Sequence, residues 1–196
     1  MAKQNDKPKR SLIRSPLLRL IFAKPLHASA SQRQTEIDML RYRDNRLGSG
    51  LGYLGMLSFI LAFCLVYSNI KINNDNPVTI FGYTNAGVWV GINIFLNIIT
   101  LLALFLTITN LKVYSWRWGI VAIVMGTLFV LRLFTYPLAL HNAGAISSGL
   151  FAWEVALFLL AGVSLIAAGI ITLILHRILA NYLKTVKSIE NERLAD

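Results

Sequence analysis

Residues 152–175 read AWEVALFLLAGVSLIAAGIITLIL, and this stretch decides the class of fold. Its only charged side chain is Glu154, which lies close to its beginning. An α-helix rises 1.5 Å per residue, so about 20 apolar residues cross the ~30 Å hydrocarbon layer of a bilayer. The stretch therefore predicts a membrane-spanning helix.

Three similar apolar stretches precede it, separated by short loops. The whole chain is 56% hydrophobic and 14% charged, whereas a soluble domain carries about 25% charged residues. We therefore predict an all-α polytopic membrane protein with an antiparallel four-transmembrane-helix bundle, a cytoplasmic N-terminal amphipathic segment and a fourth helix that extends into the cytoplasm. The predicted parts are an arm at 1–48, a bundle at 49–176 with spans at 51–70, 87–109, 118–140 and 152–175, and an extension at 177–196.

Lys and Arg mark the cytoplasmic side of a membrane protein, because loops rich in these residues stay inside. Both terminal segments are basic, and the loop between spans two and three carries Lys112 and Arg117. The loop at 141–151 has neither Lys nor Arg. We expect both termini in the cytoplasm and the protein in the plasma (inner) membrane. Residues 7–35 also resemble a mitochondrial transit peptide, which leaves the mitochondrial inner membrane as the alternative.

The basic N-terminal arm accounts for most of the net charge of +10. An anionic cytoplasmic leaflet attracts such a segment by about 1 kcal/mol per basic residue near its surface. Apolar residues at helical spacing in 11–23 predict an amphipathic helix lying on that surface. Nucleic acid is not expected as a partner, since no motif or aromatic pattern accompanies the charge. The residues predicted to contact anionic lipid are Arg10, Arg14, Arg19 and Lys24.

Small residues and one cysteine lie near the first span. Gly48 and Gly52 are four residues apart, which in membrane helices permits close helix approach, within the bundle or in a dimer. Cys64 is the only cysteine and is expected to be a buried structural thiol. A flexible lead into span one is predicted at the four glycines Gly48, Gly50, Gly52 and Gly55.

An apolar seam follows span four. Its members repeat at 4-3-4-3 spacing, which is typical of the contact face of a coiled coil. The pattern predicts that span four continues as one helix and that its seam binds a protein partner or a second copy, or packs on a short helix of the same chain at 35–47. The seam consists of Leu175, Leu179, Tyr182, Val186 and Ile189.

Polar residues inside the spans predict a cluster in the outer half of the bundle. Arg132 lies within span three, where a charge costs ~2.5–3.5 kcal/mol on insertion scales and needs a partner. Glu154 is the only carboxylate near it, so an Arg132–Glu154 ion pair is expected. Two readings stay open, a cluster that fixes helix packing and a binding site or ion path. The predicted cluster is Asn93, Asn97, Arg132, Tyr136 and Glu154.

The sequence contains no recognisable catalytic, cofactor-binding or metal motif. Spans one to three hold no Asp or Glu, and His141 and His176 lie at opposite ends of the membrane. We expect no cofactor and a non-enzymatic accessory or scaffolding subunit of a larger membrane complex, such as a transporter or envelope assembly. The alternative is a small homo-oligomeric transporter or channel that uses the cluster around Arg132 and Glu154.

Overall fold

The computed structural model describes residues 45–69, 86–113 and 115–195, and all regular structure within these ranges is helical. Four segments are long and apolar enough to span a membrane, namely Arg46–Asn69, Val90–Leu111, Trp116–Asn142 and Ser148–Asn181. The prediction of four long apolar helical segments able to span a membrane is thereby confirmed, while their orientation stays a prediction. The helices are α1 (Arg46–Asn69), α2 (Ala86–Leu111), α3 (Trp116–Arg132), α4 (Tyr136–Asn142) and α5 (Ser148–Ala195).

Helix α5 is the centre of the bundle and packs against both α1 and α3, whereas α2 lies at the periphery. Three rings join the helices in the core: Phe59 stacks on Phe129 at 4.8 Å between centroids, and Phe158 meets both edge-on. We name the two ends of the bundle after the predicted orientation. The inner end holds Asn45, and the outer end holds Glu154.

Helices α3 and α5 touch backbone to backbone through two pairs of glycines. A Cβ atom on Gly126 would lie 2.6 Å from the carbonyl oxygen of Gly162, and one on Gly169 would lie 2.5 Å from that of Gly119. Within each helix the two glycines are two turns apart, so they share one face. Since the numbers rise along α3 as they fall along α5, the two helices are antiparallel.

The glycine run near the first span differs from its prediction. Gly48, Gly50, Gly52 and Gly55 lie inside α1, so the predicted flexible lead is wrong. The run is helical because two of its members pack: Gly52 faces Ile108 of α2, and Gly55 faces α5. Cys64 is exposed rather than buried, because it lies on the face of α1 opposite Ala62 and Val66.

Asn45 ties the inner end of the bundle together. Its Oδ1 accepts a hydrogen bond from the Gly48 N–H at 3.1 Å, which caps α1. Its Nδ2 donates to the carbonyl of Leu111, the last residue of α2, at 3.0 Å and to Thr172 Oγ1 on α5 at 2.7 Å. A side chain that is only 2% exposed thus joins three helices.

The third span is broken, although the sequence predicted one continuous helix at 118–140. Helix α3 ends at Arg132 and α4 begins at Tyr136. Pro137 explains the break, because proline has no amide hydrogen and its ring clashes with the carbonyl four residues earlier, that of Leu133. The N–H groups of residues 133–135 instead donate to carbonyls three residues back, at 3.1–3.3 Å.

The C-terminal helix is continuous from Ser148 to Ala195, 48 residues in all. On the predicted seam Leu179 is buried and Leu175 is half-buried. The side chains of Tyr182, Val186 and Ile189 lie outside the described part of the structure. The predicted arm at 1–44, with its lipid contacts at Arg10, Arg14, Arg19 and Lys24, also lies outside the described residues.

Candidate functional site

A small cavity lies between the helices towards the outer end of the bundle, and all five residues of the predicted polar cluster line it. Its volume is about 10 Å³, which is the room that one water-sized sphere needs. The lining comes from every span: Ala62, Phe63, Val66 and Tyr67 of α1, Asn93 and Asn97 of α2, Arg132 of α3, Tyr136 and Pro137 of α4, and Glu154 and Phe158 of α5.

The local structure explains why these side chains meet. Asn93 and Asn97 are one turn apart on α2 and therefore share a face. Arg132 is the last residue of α3 and Tyr136 the first of α4, so the two flank the break in the third span. Glu154 lies in the second turn of α5. The break thus brings two polar side chains to the wall of the cavity.

Arg132 is held by α2 and α5. Its Nη2 donates a hydrogen bond to Asn93 Oδ1, and its guanidinium carbon lies 5.8 Å from the centroid of the Phe158 ring. A cation over an aromatic face is attracted by the ring quadrupole. The expected Arg132–Glu154 ion pair is absent among the described contacts, where the guanidinium donates its hydrogen bond to Asn93 of α2. Both charges nevertheless line the same cavity.

The cavity concentrates buried polar atoms that lack hydrogen-bond partners within the described residues. Asn93, Asn97 and Glu154 are only 7%, 5% and 3% exposed. An unpartnered buried polar group costs about 1–3 kcal/mol, and most such groups in native proteins are paired. An arrangement of this kind can bind a small polar or charged species that completes the missing bonds. The atoms are Tyr67 Oη, Asn93 Nδ2, Asn97 Oδ1, Tyr136 Oη and Glu154 Oε2.

Sequence reasoning missed two contributors to this site. Tyr67 ends span one, where an aromatic residue is usually interpreted as an interfacial anchor. Pro137 was the stronger signal, since a proline inside an apolar run predicts a helix boundary near the preceding residue. Its position five residues after Arg132 could have revealed both the break and the polar side chains beside it.

The same break borders a second, apolar groove on the other side of α3 and α4. Its volume is about 400 Å³, and the described residues that line it are all apolar. The cavity and the groove beside the broken segment therefore differ in chemistry, one lined largely by polar side chains and the other by apolar ones. The lining residues of the groove are Val130, Leu133, Phe134, Leu138, Phe151, Val155 and Leu159.

Conventional metal ligands do not gather in the described ranges, where no three His, Cys, Asp or Glu side chains lie together. The predicted partner-binding seam is represented there by Leu175 and Leu179 alone. Comparison of the chain with protein-family models, with curated proteins and with solved structures finds no match.

Proposed function

We propose that this protein binds a small polar solute or ion in the outer half of its bundle and acts as a small transporter or channel. The observation that supports the proposal best is the convergence of polar side chains from all four spans on one cavity, beside the break in the third span. Arg132 and Glu154 are the two residues on which binding should depend most.

Energetics favours a binding role for the cluster over a purely structural one. Ionisable groups within spans are expensive and usually mark substrate or ion pathways. A cluster that only held helices together would be expected to pair its polar atoms, as Asn45 does. Around the cavity, Glu154 Oε2 and Asn97 Oδ1 have no partner among the described residues.

The break in the third span supports the proposal independently. Interrupted helices are characteristic of transporter sites, and irregular backbone at membrane depth is tolerated where it lines a cavity or is buried in protein. A cavity of about 10 Å³ has room for little more than one water molecule, so passage of a solute requires movement. We propose that α4 moves relative to α3 about residues 133–135 to open it.

The proposal is tested by flux into proteoliposomes. Radiolabelled Na⁺, Cl⁻ and glycine serve as probes of a cation, an anion and a zwitterion. We expect uptake of at least one probe above that of empty liposomes, and we expect Glu154→Gln to abolish it while assembly stays intact. Thr127→Val is the matched control, because Thr127 is exposed on α3 and its hydroxyl donates a hydrogen bond to the Ile123 carbonyl of the same helix. Uptake that equals that of empty liposomes for all three probes would contradict the proposal.

An accessory or scaffolding subunit of a larger complex is the second candidate. It is supported by the length of α5, which continues to Ala195 beyond Asn181, where the candidate span ends. The test is affinity purification of the tagged chain in mild detergent, with and without residues 185–196. The deletion begins after Leu179, so it leaves that buried residue of α5 in place. A stoichiometric partner that is lost on deletion would support this candidate, and a lone species in both preparations would count against it.

The orientation and the membrane belong to the same proposal. We propose that the protein lies in the plasma membrane with both termini in the cytoplasm. The reason is that Lys and Arg are concentrated in the terminal segments and in the loop with Lys112 and Arg117. The cavity would then lie nearer the outer surface. A C-terminal tag should be cleaved by protease only after the cells are opened. Cleavage in intact cells would reverse the assignment.

A further inference from the structure

Four of the cavity atoms that lack a hydrogen-bond partner among the described residues are oxygens, and one comes from each of the four spans. They are the hydroxyls of Tyr67 on α1 and Tyr136 on α4, the amide Oδ1 of Asn97 on α2 and the carboxylate Oε2 of Glu154 on α5. Asn97 and Glu154 are each more than nine-tenths buried. We infer that these oxygens form a binding site for one monovalent cation, with Na⁺ as the expected ion. The inference deepens the proposed function, since it rests on the same cavity.

The donor set has the chemistry of a hard-cation site. Hard cations are bound by carboxylate, amide, hydroxyl and carbonyl oxygens rather than by nitrogen or sulfur. In transporters, Na⁺ commonly lies beside an interrupted helix near the middle of the membrane. The oxygen donors and the interrupted helix occur together here, in the outer half of the bundle, since Tyr136 begins α4 directly after the break.

Charge and size favour a monovalent ion. Among the described residues Glu154 is the only carboxylate that lines the cavity, and Arg132 lines it too. These two charges offset each other, so a divalent ion would leave twice the uncompensated charge of a monovalent one. Ca²⁺ also takes 6–8 oxygen ligands, and Mg²⁺ keeps several waters. A cavity of about 10 Å³ accommodates one small ion without that shell.

The contacts of Arg132 explain why Glu154 remains available. Asn93 Oδ1 accepts a hydrogen bond from the guanidinium, and the ring of Phe158 lies 5.8 Å from its central carbon. The positive charge of Arg132 is therefore stabilised by the Asn93 amide and by the face of the Phe158 ring. The carboxylate is left without a hydrogen-bonded partner for Oε2 among the described residues. Asn93 and Phe158 thus act as positioning residues for Arg132, and Glu154 acts as the ion ligand.

The experiment measures Na⁺ binding by the full-length purified protein in detergent, at constant ionic strength with choline as the replacement ion. Thermal unfolding gives one measurement and binding of radiolabelled Na⁺ gives another. A ligand that binds only the native state raises the unfolding midpoint in step with the logarithm of 1 + [L]/Kd, by about 3–6 °C at ten times its Kd for a chain of this size. We expect that rise with NaCl and not with CaCl₂ or MgCl₂.

Two variants locate the site and one serves as the control. Glu154→Gln and Asn97→Ala should remove both the rise in the unfolding midpoint and the saturable binding of radiolabelled Na⁺, whereas Thr127→Val, with its side chain on the exposed face of α3, should keep both. Tyr136→Phe deletes a single hydroxyl and should weaken Na⁺ binding about tenfold. That change also keeps the test decisive if Glu154→Gln fails to fold.

Three outcomes would overturn the inference. They are a midpoint that does not respond to Na⁺, a response that Glu154→Gln and Tyr136→Phe leave unchanged, and a site that responds to pH but not to Na⁺. A midpoint that does not respond to Na⁺ would indicate that a water molecule completes the hydrogen bonds of the cavity. A response to pH alone would indicate that the site binds a proton. The proposed transport function fails separately, through absent flux: Na⁺ binding without flux would support the cation site alone, and flux without Na⁺ binding would support transport alone.

Discussion

The two ends of the bundle each contain buried asparagine, yet they differ in how completely its bonds are made. At the inner end, Asn45 uses Oδ1 and Nδ2 to bond α1, α2 and α5. At the outer end, Asn93 Nδ2 and Asn97 Oδ1 lack partners among the described residues. The three asparagines are similarly buried, since Asn45 is 2% exposed and Asn97 and Asn93 are 5% and 7% exposed. The comparison teaches that equally buried polar groups can differ in how fully their hydrogen bonds are made, and our proposal of a binding site rests on that difference.

Backbone packing follows the same division. Gly119, Gly126, Gly162 and Gly169 bring α3 and α5 into backbone contact from the inner end to the middle of the bundle. Beyond Arg132 the third span is broken and a cavity opens. We therefore expect a rigid inner half and a movable outer half, and four substitutions test this difference, from the largest effect to the smallest.

The largest effect is expected where the backbones touch. Gly126→Leu should separate α3 from α5 and destabilise the protein by about 3 kcal/mol or more, because even a Cβ there lies 2.6 Å from the Gly162 carbonyl. Gly91→Leu is the control, since nothing lies within 4 Å of a Cβ at Gly91. Chemical unfolding in mixed micelles measures both. Equal losses for the two variants would show that backbone contact between α3 and α5 does not matter.

The inner asparagine should come next. Asn45→Ala removes the α1 cap and leaves the Leu111 carbonyl and the Thr172 hydroxyl each short of a donor, so we expect a loss of about 2 kcal/mol. Thr172→Val should cost less, because Asn45 Nδ2 then keeps its bond to Leu111. A double-mutant cycle measures the coupling between the two positions. Strictly additive losses would mean that the Asn45–Thr172 hydrogen bond contributes nothing.

The break in the third span should affect function more than stability. Pro137→Ala supplies an N–H that can bond the Leu133 carbonyl, so we expect α3 and α4 to join and stability to change by no more than about 1 kcal/mol. Flux or Na⁺ binding should fall, because the segment at 133–135 can no longer bend. Hydrogen exchange at residues 133–136 reports the new helix. An intact response in a chain with a continuous helix would show that the break is dispensable.

The smallest effect on stability is expected at the outer cavity. Tyr67→Phe deletes a hydroxyl that makes no well-formed hydrogen bond within the described residues and lies close to the Tyr136 hydroxyl, so stability should change by no more than about 1 kcal/mol in either direction. The Na⁺ response should weaken in the same variant. Stability that falls by as much as it does in Asn45→Ala would remove the distinction between the two ends.

Five of the residues that line the candidate site were predictable from the sequence, whereas Tyr67, Pro137 and the bonding within the site were not. Asn93, Asn97, Arg132, Tyr136 and Glu154 stand out because polar groups in apolar spans are few, and helical spacing aligns them. The partner of Arg132 was not predictable, because the choice between Asn93 and Glu154 depends on how far α2 and α5 lie from the end of α3. Whether the cluster functions as a site stays a prediction.

The sequence by itself determined that the described chain is helical and holds four segments able to span a membrane, since length and apolar composition suffice for that. Only the tertiary structure decided which glycines touch, why Asn45 is buried, and that Cys64 faces outward from the bundle. Pairing of Gly126 with Gly162 depends on the register between helices distant in sequence, and small residues along a span do not specify that register. The reason is that local chemistry decides whether a helix forms, whereas contact geometry decides what each of its faces meets.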